Sequence, residues 1–131
     1  MGGSVGKAVS VGRKRILVVE DSDDSRFSLA KLLDFEGYEV IEAADGERAV
    51  ALAAETNPDL ILMDVSLPII DGLTAARRIR DSEGLHSVPI IALSGHEFVD
   101  IEEEVRESGC SDYLTKPIDF DALTMKIAKY F

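Results

Sequence analysis

Leu60-Ile61-Leu62-Met63-Asp64-Val65-Ser66-Leu67-Pro68-Ile69-Ile70-Asp71-Gly72 is the stretch that decides the fold. Four apolar residues in a row, introduced by Asn57-Pro58-Asp59, read as a short strand buried on both faces. The carboxylate of Asp64 stands at its end. Pro68 and Asp71-Gly72 mark the loop that follows and the start of a helix. An acid at the carboxyl end of a buried parallel strand lies on the edge where open α/β sheets bind ligands. Taken alone, Asp64 serves equally well as a cap on a strand or loop. The other strand ends decide between the two.

Working outward, the same alternation recurs. Ile16-Leu17-Val18-Val19 is a β-branched buried strand ending in Glu20-Asp21, and Ser22-Asp23-Asp24 offers caps and negative charge to a helix N-terminus. That helix carries Phe27, Leu29, Ala30, Leu32 and Leu33 at helical spacing and stops at Gly37. Tyr38 to Glu42 is a second strand. Asp45 caps a helix with Ala49, Leu52 and Ala53 inward, closed by Asn57-Pro58. After the opening strand, a helix from Gly72 to about Ser82 buries Leu73, Ala76 and Ile79. Val88 to Leu93 is the fourth strand, Ser94-Gly95-His96 opens the next helix, and Gly109 ends it. Asp112-Tyr113-Leu114 is a short fifth strand, and a last helix from about Asp119 carries Phe120, Leu123 and Ile127 on one side. Five strands alternating with five helices predict a parallel sheet with helices on both faces.

The 131 residues suffice for one domain with one core. Residues 1–13 are glycine-rich and without period, and read as a flexible N-terminal tail ahead of a domain over 14–131. Gly2 to Lys7 only superficially resembles a phosphate loop, and Ala8 lacks the hydroxyl such a loop requires. There is no apolar run long enough to cross a membrane and no secretory signal, so a soluble, cytoplasmic protein is expected. Lys and Arg number 14 against 25 Asp and Glu, a formal charge of -11. That balance disfavours direct nucleic-acid binding and suits a protein that holds a cation or meets a basic partner. Cys110 sits in Gly109-Cys110-Ser111 with glutamates rather than cations nearby, and reads as a structural thiol.

The carboxyl ends of the strands supply Glu20 and Asp21, then Asp64, Ser94 and Lys116. In a parallel sheet these positions share one edge and should meet in one shallow cleft. Three close carboxylates repel strongly unless a cation sits among them. No Cys/His cluster offers soft ligands, so the ion should be hard and oxygen-bound, with Mg²⁺ the first choice. With charge so shielded, a carboxylate can attack phosphorus and become an acyl phosphate. A lysine and a hydroxyl would then stabilise the equatorial oxygens.

In these motifs the chain resembles the receiver domain of two-component response regulators, from Arg15 to Phe131. They are Glu20-Asp21, Asp64 to Gly72, Ala92-Leu93-Ser94-Gly95, and Asp112-Tyr113-Leu114-Thr115-Lys116-Pro117. The resemblance implies a flavodoxin-like (βα)5 three-layer sandwich with strand order 2-1-3-4-5. It implies that Asp64 accepts a phosphoryl group from a phosphohistidine on a histidine kinase or phosphotransfer protein. Asp21, Asp64 and the backbone carbonyl of Ser66 would hold Mg²⁺ directly and Glu20 through water. Lys116 would pair with the phosphoryl group, in a Lys-Pro bond commonly cis. Ser94 would hydrogen-bond the group and shift inward, and the ring of Tyr113 would follow. Departures are mild: Ser94 for the commoner threonine, Gly95 for alanine, Glu20 for a frequent aspartate.

A receiver is a signalling domain and not an enzyme beyond its own aspartyl phosphorylation and autodephosphorylation. Output is expected through protein contacts, with the surface of the fourth helix, fifth strand and last helix open to homodimerisation. His96 is either a solvent-side residue or, with Ser66, flanks the phosphoryl group and sets how readily water attacks. The acidic run from Glu97 to Glu107 reads as a solvated face or as a recruiter of a basic partner. Two rivals fit less well. A Mg²⁺-dependent aspartyl phosphatase would need an acid where Ser66 stands. A flavodoxin-like nucleotide binder would need a phosphate loop where Glu20 to Asp24 would repel phosphate.

Overall fold

The computed structural model describes residues 12–95 and 101–131. Along the chain run β1 (Arg15–Val19), α1 (Asp23–Phe35), β2 (Glu39–Ala43), α2 (Gly46–Thr56), β3 (Leu60–Asp64), α3 (Gly72–Arg80), β4 (Ile90–Ser94), α4 (Ile101–Ser108), β5 (Asp112–Thr115) and α5 (Phe120–Lys129). The strands form one parallel sheet in the order β2-β1-β3-β4-β5. This is the flavodoxin-like order expected.

Burial explains which strands sit where. β3 and β4 are buried at every position, and β1 at all but its first. The polar, partly exposed sequences of β2 and β5 take the two edges. Side chains alternate across the sheet with the strand period of two. Leu17, Val19, Ile61, Met63, Ile90 and Ala92 face α2, α3 and α4. Ile16, Val18, Leu60, Leu62, Ile91 and Leu93 face α1 and α5. Thirty buried apolar side chains form this two-sided core among the described residues, and the valines, leucines, isoleucines and methionine among them, at about 2 kcal/mol each, dominate the favourable side of folding.

The helix starts follow the caps read from the sequence. Ser22, Asp45, Asp71 and Asp119 each accept from a backbone N–H of the first turn they precede. Asn57 ends α2 in the left-handed region at φ 48, which its short polar side chain accepts at less cost than a β-branched one. α3 stops at Arg80, slightly before the expected boundary, with Asp81 as its C-cap.

Three expectations are corrected. Phe27 and Phe120, placed on inward faces by periodicity, are exposed, the first beneath the ammonium of Lys31. In each case the shorter aliphatic residues of the same helix already fill the layer against the sheet. Cys110 has cations close by after all. Arg80 reaches from α3 to the carbonyls of Gly109 and Leu85, bringing its charge beside the thiol, with Arg77 also near. Burial still dominates and pushes the thiol above its usual range, as befits a structural cysteine. Arg13, the last residue of the expected tail, donates to the carbonyls of Gly37 and Tyr38 and so belongs to the folded body.

Candidate functional site

The carboxyl edge of the sheet gathers the residues that the sequence scattered. Glu20 follows β1 directly, its N–H donating to the carbonyl of Ala43 at the end of β2. Ser22 N–H donates to the Glu20 carboxylate at 3.2 Å, turning that side chain back toward the sheet. Asp64 ends β3, and its carboxylate accepts from Ser66 N–H at 3.0 Å. Carboxylate oxygens of Glu20, Asp21 and Asp64 all lie within 4.8 Å of one another. Glu20 and Asp64 are buried at 3% and 2% exposure, whereas Asp21 is open to solvent.

Lys116 closes the other side. Its ammonium donates to Asp64 Oδ2 at 3.0 Å and lies 3.5 Å from Glu20 Oε1. Its backbone N–H donates to the carbonyl of Ser94, tying the end of β5 to the end of β4. The Lys116–Pro117 bond is cis. Ser94 sits one residue beyond the partner of Asp64 in the β3–β4 register. Its hydroxyl is buried, and it is the one buried side-chain polar atom without a hydrogen-bond partner among the described residues. Such an oxygen costs free energy unless a ligand meets it.

The electrostatics of the cluster are unbalanced. Burial, then a hydrogen bond and repulsion from Asp64, push the Glu20 carboxyl up from 4.5 to about 7. Burial works against the Lys116 ammonium, but its hydrogen bond to Asp64 and the nearby acids outweigh this and hold its pKa above the usual value. One ammonium, paired with two of the acids, therefore stands against all three. The set is all oxygen, part buried and part exposed, and suits a hard divalent ion that keeps some of its water. A recess of about 380 Å³ opens beside it between α1 and the β5–α5 loop, lined by Leu29, Ser25, Ile118 and Phe120.

Gly72 sets the height of Asp64. A Cβ there would come within 2.1 Å of the Asp64 carbonyl oxygen, so only glycine lets α3 start against the end of β3. Its N–H donates to the carbonyl of Val65. Tyr113 is half-buried against the α2–α4 side of the core, and its hydroxyl donates to Glu102 of α4 at 3.3 Å. His96 lies outside the described residues, as does the first part of the acidic run, 97–100.

The family model of the response regulator receiver domain matches residues 16–128. The chain belongs to this family. Among curated receivers, it is 36% identical over 117 residues to the polar-differentiation response regulator DivK of Brucella ovis, spanning 89% of this chain and 95% of that one. The receiver domain of a sensor histidine kinase from Pseudomonas aeruginosa superposes with a TM-score of 0.83 at 36% identity, over 91% of this chain and 98% of that one. That relative has a magnesium ion coordinated in its active-site cleft. The chemotaxis protein CheY4 of Vibrio cholerae superposes with a TM-score of 0.86 at 28% identity, covering 92% and 100%. The protein is thus a receiver of two-component signalling, a signalling domain and not a conventional enzyme. No helix among the described residues is long and apolar enough to cross a membrane.

One contributor was not visible in the sequence. Arg26, on α1, donates to the carbonyl of Glu20, to Asp23 and to Glu42. Its spacing of three from Asp23 marks an ordinary helical ion pair. Nothing local signals the contacts with β1 and β2.

Proposed function

We propose that the folded body from Arg13 onward is a phosphoacceptor receiver that takes a phosphoryl group from a phosphohistidine onto Asp64 and switches its contacts with protein partners. The observation that carries this is the 3.0 Å contact between the Lys116 ammonium and a buried Asp64 flanked by two further acids. Asp64, Asp21 and the Ser66 carbonyl would hold Mg²⁺, with Glu20 reaching it through water. When bound, the ion would supply charge neutralisation for the phosphoryl oxygens.

An oxygen of Asp64 forms the new bond to phosphorus as the P–N bond of the donor breaks, and the imidazole leaves with a proton. Lys116 releases its hold on Asp64 and pairs with a phosphoryl oxygen. The unpartnered hydroxyl of Ser94 donates to another, which repairs the deficit of the resting state. The movement of Ser94 frees space that the Tyr113 ring fills, leaving Glu102 and changing the α4–β5–α5 surface. That surface meets the downstream protein or a second copy. Water attack on phosphorus later returns Asp64 to its carboxylate and releases inorganic phosphate, with Ser66, two residues after Asp64, tuning the rate. The donor is a histidine kinase or phosphotransfer protein.

Incubation with Mg²⁺ and a small acyl-phosphate donor tests the reading. Stoichiometric labelling is expected, and its complete loss in Asp64→Ala. Labelling at another residue, or steady turnover of a phosphoester, would overturn it.

A further inference from the structure

Arg26 makes three directed hydrogen bonds, one of them to the turn that carries two of the clustered acids. One guanidinium nitrogen donates to the backbone carbonyl of Glu20 at 2.9 Å. A second donates to Asp23 Oδ1 at 2.6 Å, and Nε donates to Glu42 Oε1 at 3.2 Å. Its own backbone N–H donates to the carbonyl of Ser22, the residue on the far side of Asp21. The side chain therefore links α1, the end of β1 and the edge strand β2 in one brace, and its side chain is only 18% exposed.

We propose that Arg26 is a positioning residue for the cation site, fixing the Glu20-Asp21 turn in the geometry a divalent ion requires. This rests on the metal-binding reading above. Asp21 is exposed, so its place is set by the backbone on either side rather than by packing. The Glu20 carbonyl is the peptide oxygen immediately before Asp21, and holding it fixes the plane from which the Asp21 side chain departs. Glu20 is itself pinned through its N–H to Ala43 and through its carboxylate to Ser22. Without the guanidinium, the Glu20 carbonyl loses its fixed donor, and the Glu20 N–H to Ala43 is left as the tie between the turn and β2.

Charge alone predicts the opposite outcome, which makes the inference testable by sign. Arg26 is a cation near a cation site, and removing it leaves Asp23 and Glu42 without their partner. On electrostatic grounds the neutral Arg26→Gln should bind Mg²⁺ more tightly. On positioning grounds it should bind more weakly. Arg26→Lys keeps the charge but cannot form the planar three-way fork.

The experiment is calorimetric titration of Mg²⁺ into the full chain, wild type and both variants. It is accompanied by amide spectra of Asp21 and Ser22 without metal, and by thermal unfolding to verify the fold. Both substitutions should weaken Mg²⁺ binding by roughly ten-fold, the scale seen when support behind a ligand is lost. The Asp21 and Ser22 amides should shift or broaden before any metal is added. If Arg26→Gln fails to fold, Arg26→Lys decides, together with Asp23→Asn and Glu42→Gln. Each of the latter removes one outer bond, leaves the Glu20 contact, and should weaken binding less than Arg26→Lys. Unchanged or tighter binding in the folded variants would overturn the role of Arg26 while leaving the metal site standing. Failure of the wild type to bind Mg²⁺ would overturn both.

Discussion

Two clusters of acids and lysines lie on this fold, and they are built to opposite ends. In one, Asp112 of β5 receives Lys126 at 3.0 Å, Lys129 at 3.8 Å and the Tyr130 hydroxyl at 3.2 Å. Donors outnumber the single acid. Burial pushes the Asp112 carboxyl up, but the hydrogen bonds from Lys126, the Tyr113 N–H and Tyr130 outweigh it and leave its pKa lowered. In the other, Lys116 pairs with Glu20 and Asp64, Asp21 joins the same group of acids, and Glu20 is raised to about 7. The first is a closed structural joint between β5 and α5. The second is charge-deficient and holds a hydroxyl with no partner. A deficit of this kind is the physical mark of a site that awaits a cation and an anion together.

The largest effect should come from removing the lone ammonium. Lys116→Met is expected to slow phosphorylation of Asp64 about 100-fold, the scale of losing a donor to developing charge. The same variant should bind Mg²⁺ more tightly, because a competing cation has gone. Labelling rates and calorimetry read the two effects separately. Weakened Mg²⁺ binding would break the comparison.

Next in size is a pair of opposite pH signatures. Glu20 holds its proton more tightly folded than unfolded, so metal-free stability should fall as pH rises from about 4.5 through 7 and then level off. The loss should be on the order of 3 kcal/mol. Glu20→Gln should flatten that slope, and saturating Mg²⁺ should restore stability above pH 7. Asp112 works the other way. Its depressed pKa contributes stability that is present above the ordinary carboxylate range and lost as pH falls below it. Urea unfolding in a chelator between pH 3 and 8 resolves the two windows.

Asp112→Asn should cost about 1 kcal/mol at pH 7, appropriate to a partly exposed pair, with Mg²⁺ affinity unchanged. A shift in that affinity would mean the two clusters are coupled. The smallest effect concerns Ile69, an exposed β-branched residue at φ 73 in the loop after Asp64. Ile69→Asn should stabilise the protein by about 0.5–1 kcal/mol, since asparagine accepts the left-handed region more readily. Thermal unfolding measures it.

The sheet was legible because its signal is local. Ile16 to Val19, Leu60 to Met63 and Ile90 to Leu93 carry enough apolar residues to mark buried strands, and the caps at Ser22, Asp45, Asp71 and Asp119 mark the helix starts. The site was legible because a parallel sheet brings successive strand ends to one edge, so Glu20, Asp64, Ser94 and Lys116 could be gathered without knowing a distance. Contacts made by long side chains across elements were not legible. The reach of Arg26 to β1 and β2, and of Arg80 to Gly109, depends on three-dimensional neighbours that leave no periodic trace. Phe27 and Phe120 misled for a related reason. Periodicity marks a face, but the width of the layer decides which members of that face fit inside it.

Proton release on Mg²⁺ binding tests the central claim most directly. Calorimetric titrations at pH 7 in buffers of different ionisation enthalpy should show saturable one-to-one binding with loss of a fraction of a proton, as Glu20 ionises to meet the ion. In Glu20→Gln that release should vanish while binding persists. Absence of saturable binding, or binding that releases no proton from the wild type, would contradict the account of an acid cluster left short of positive charge.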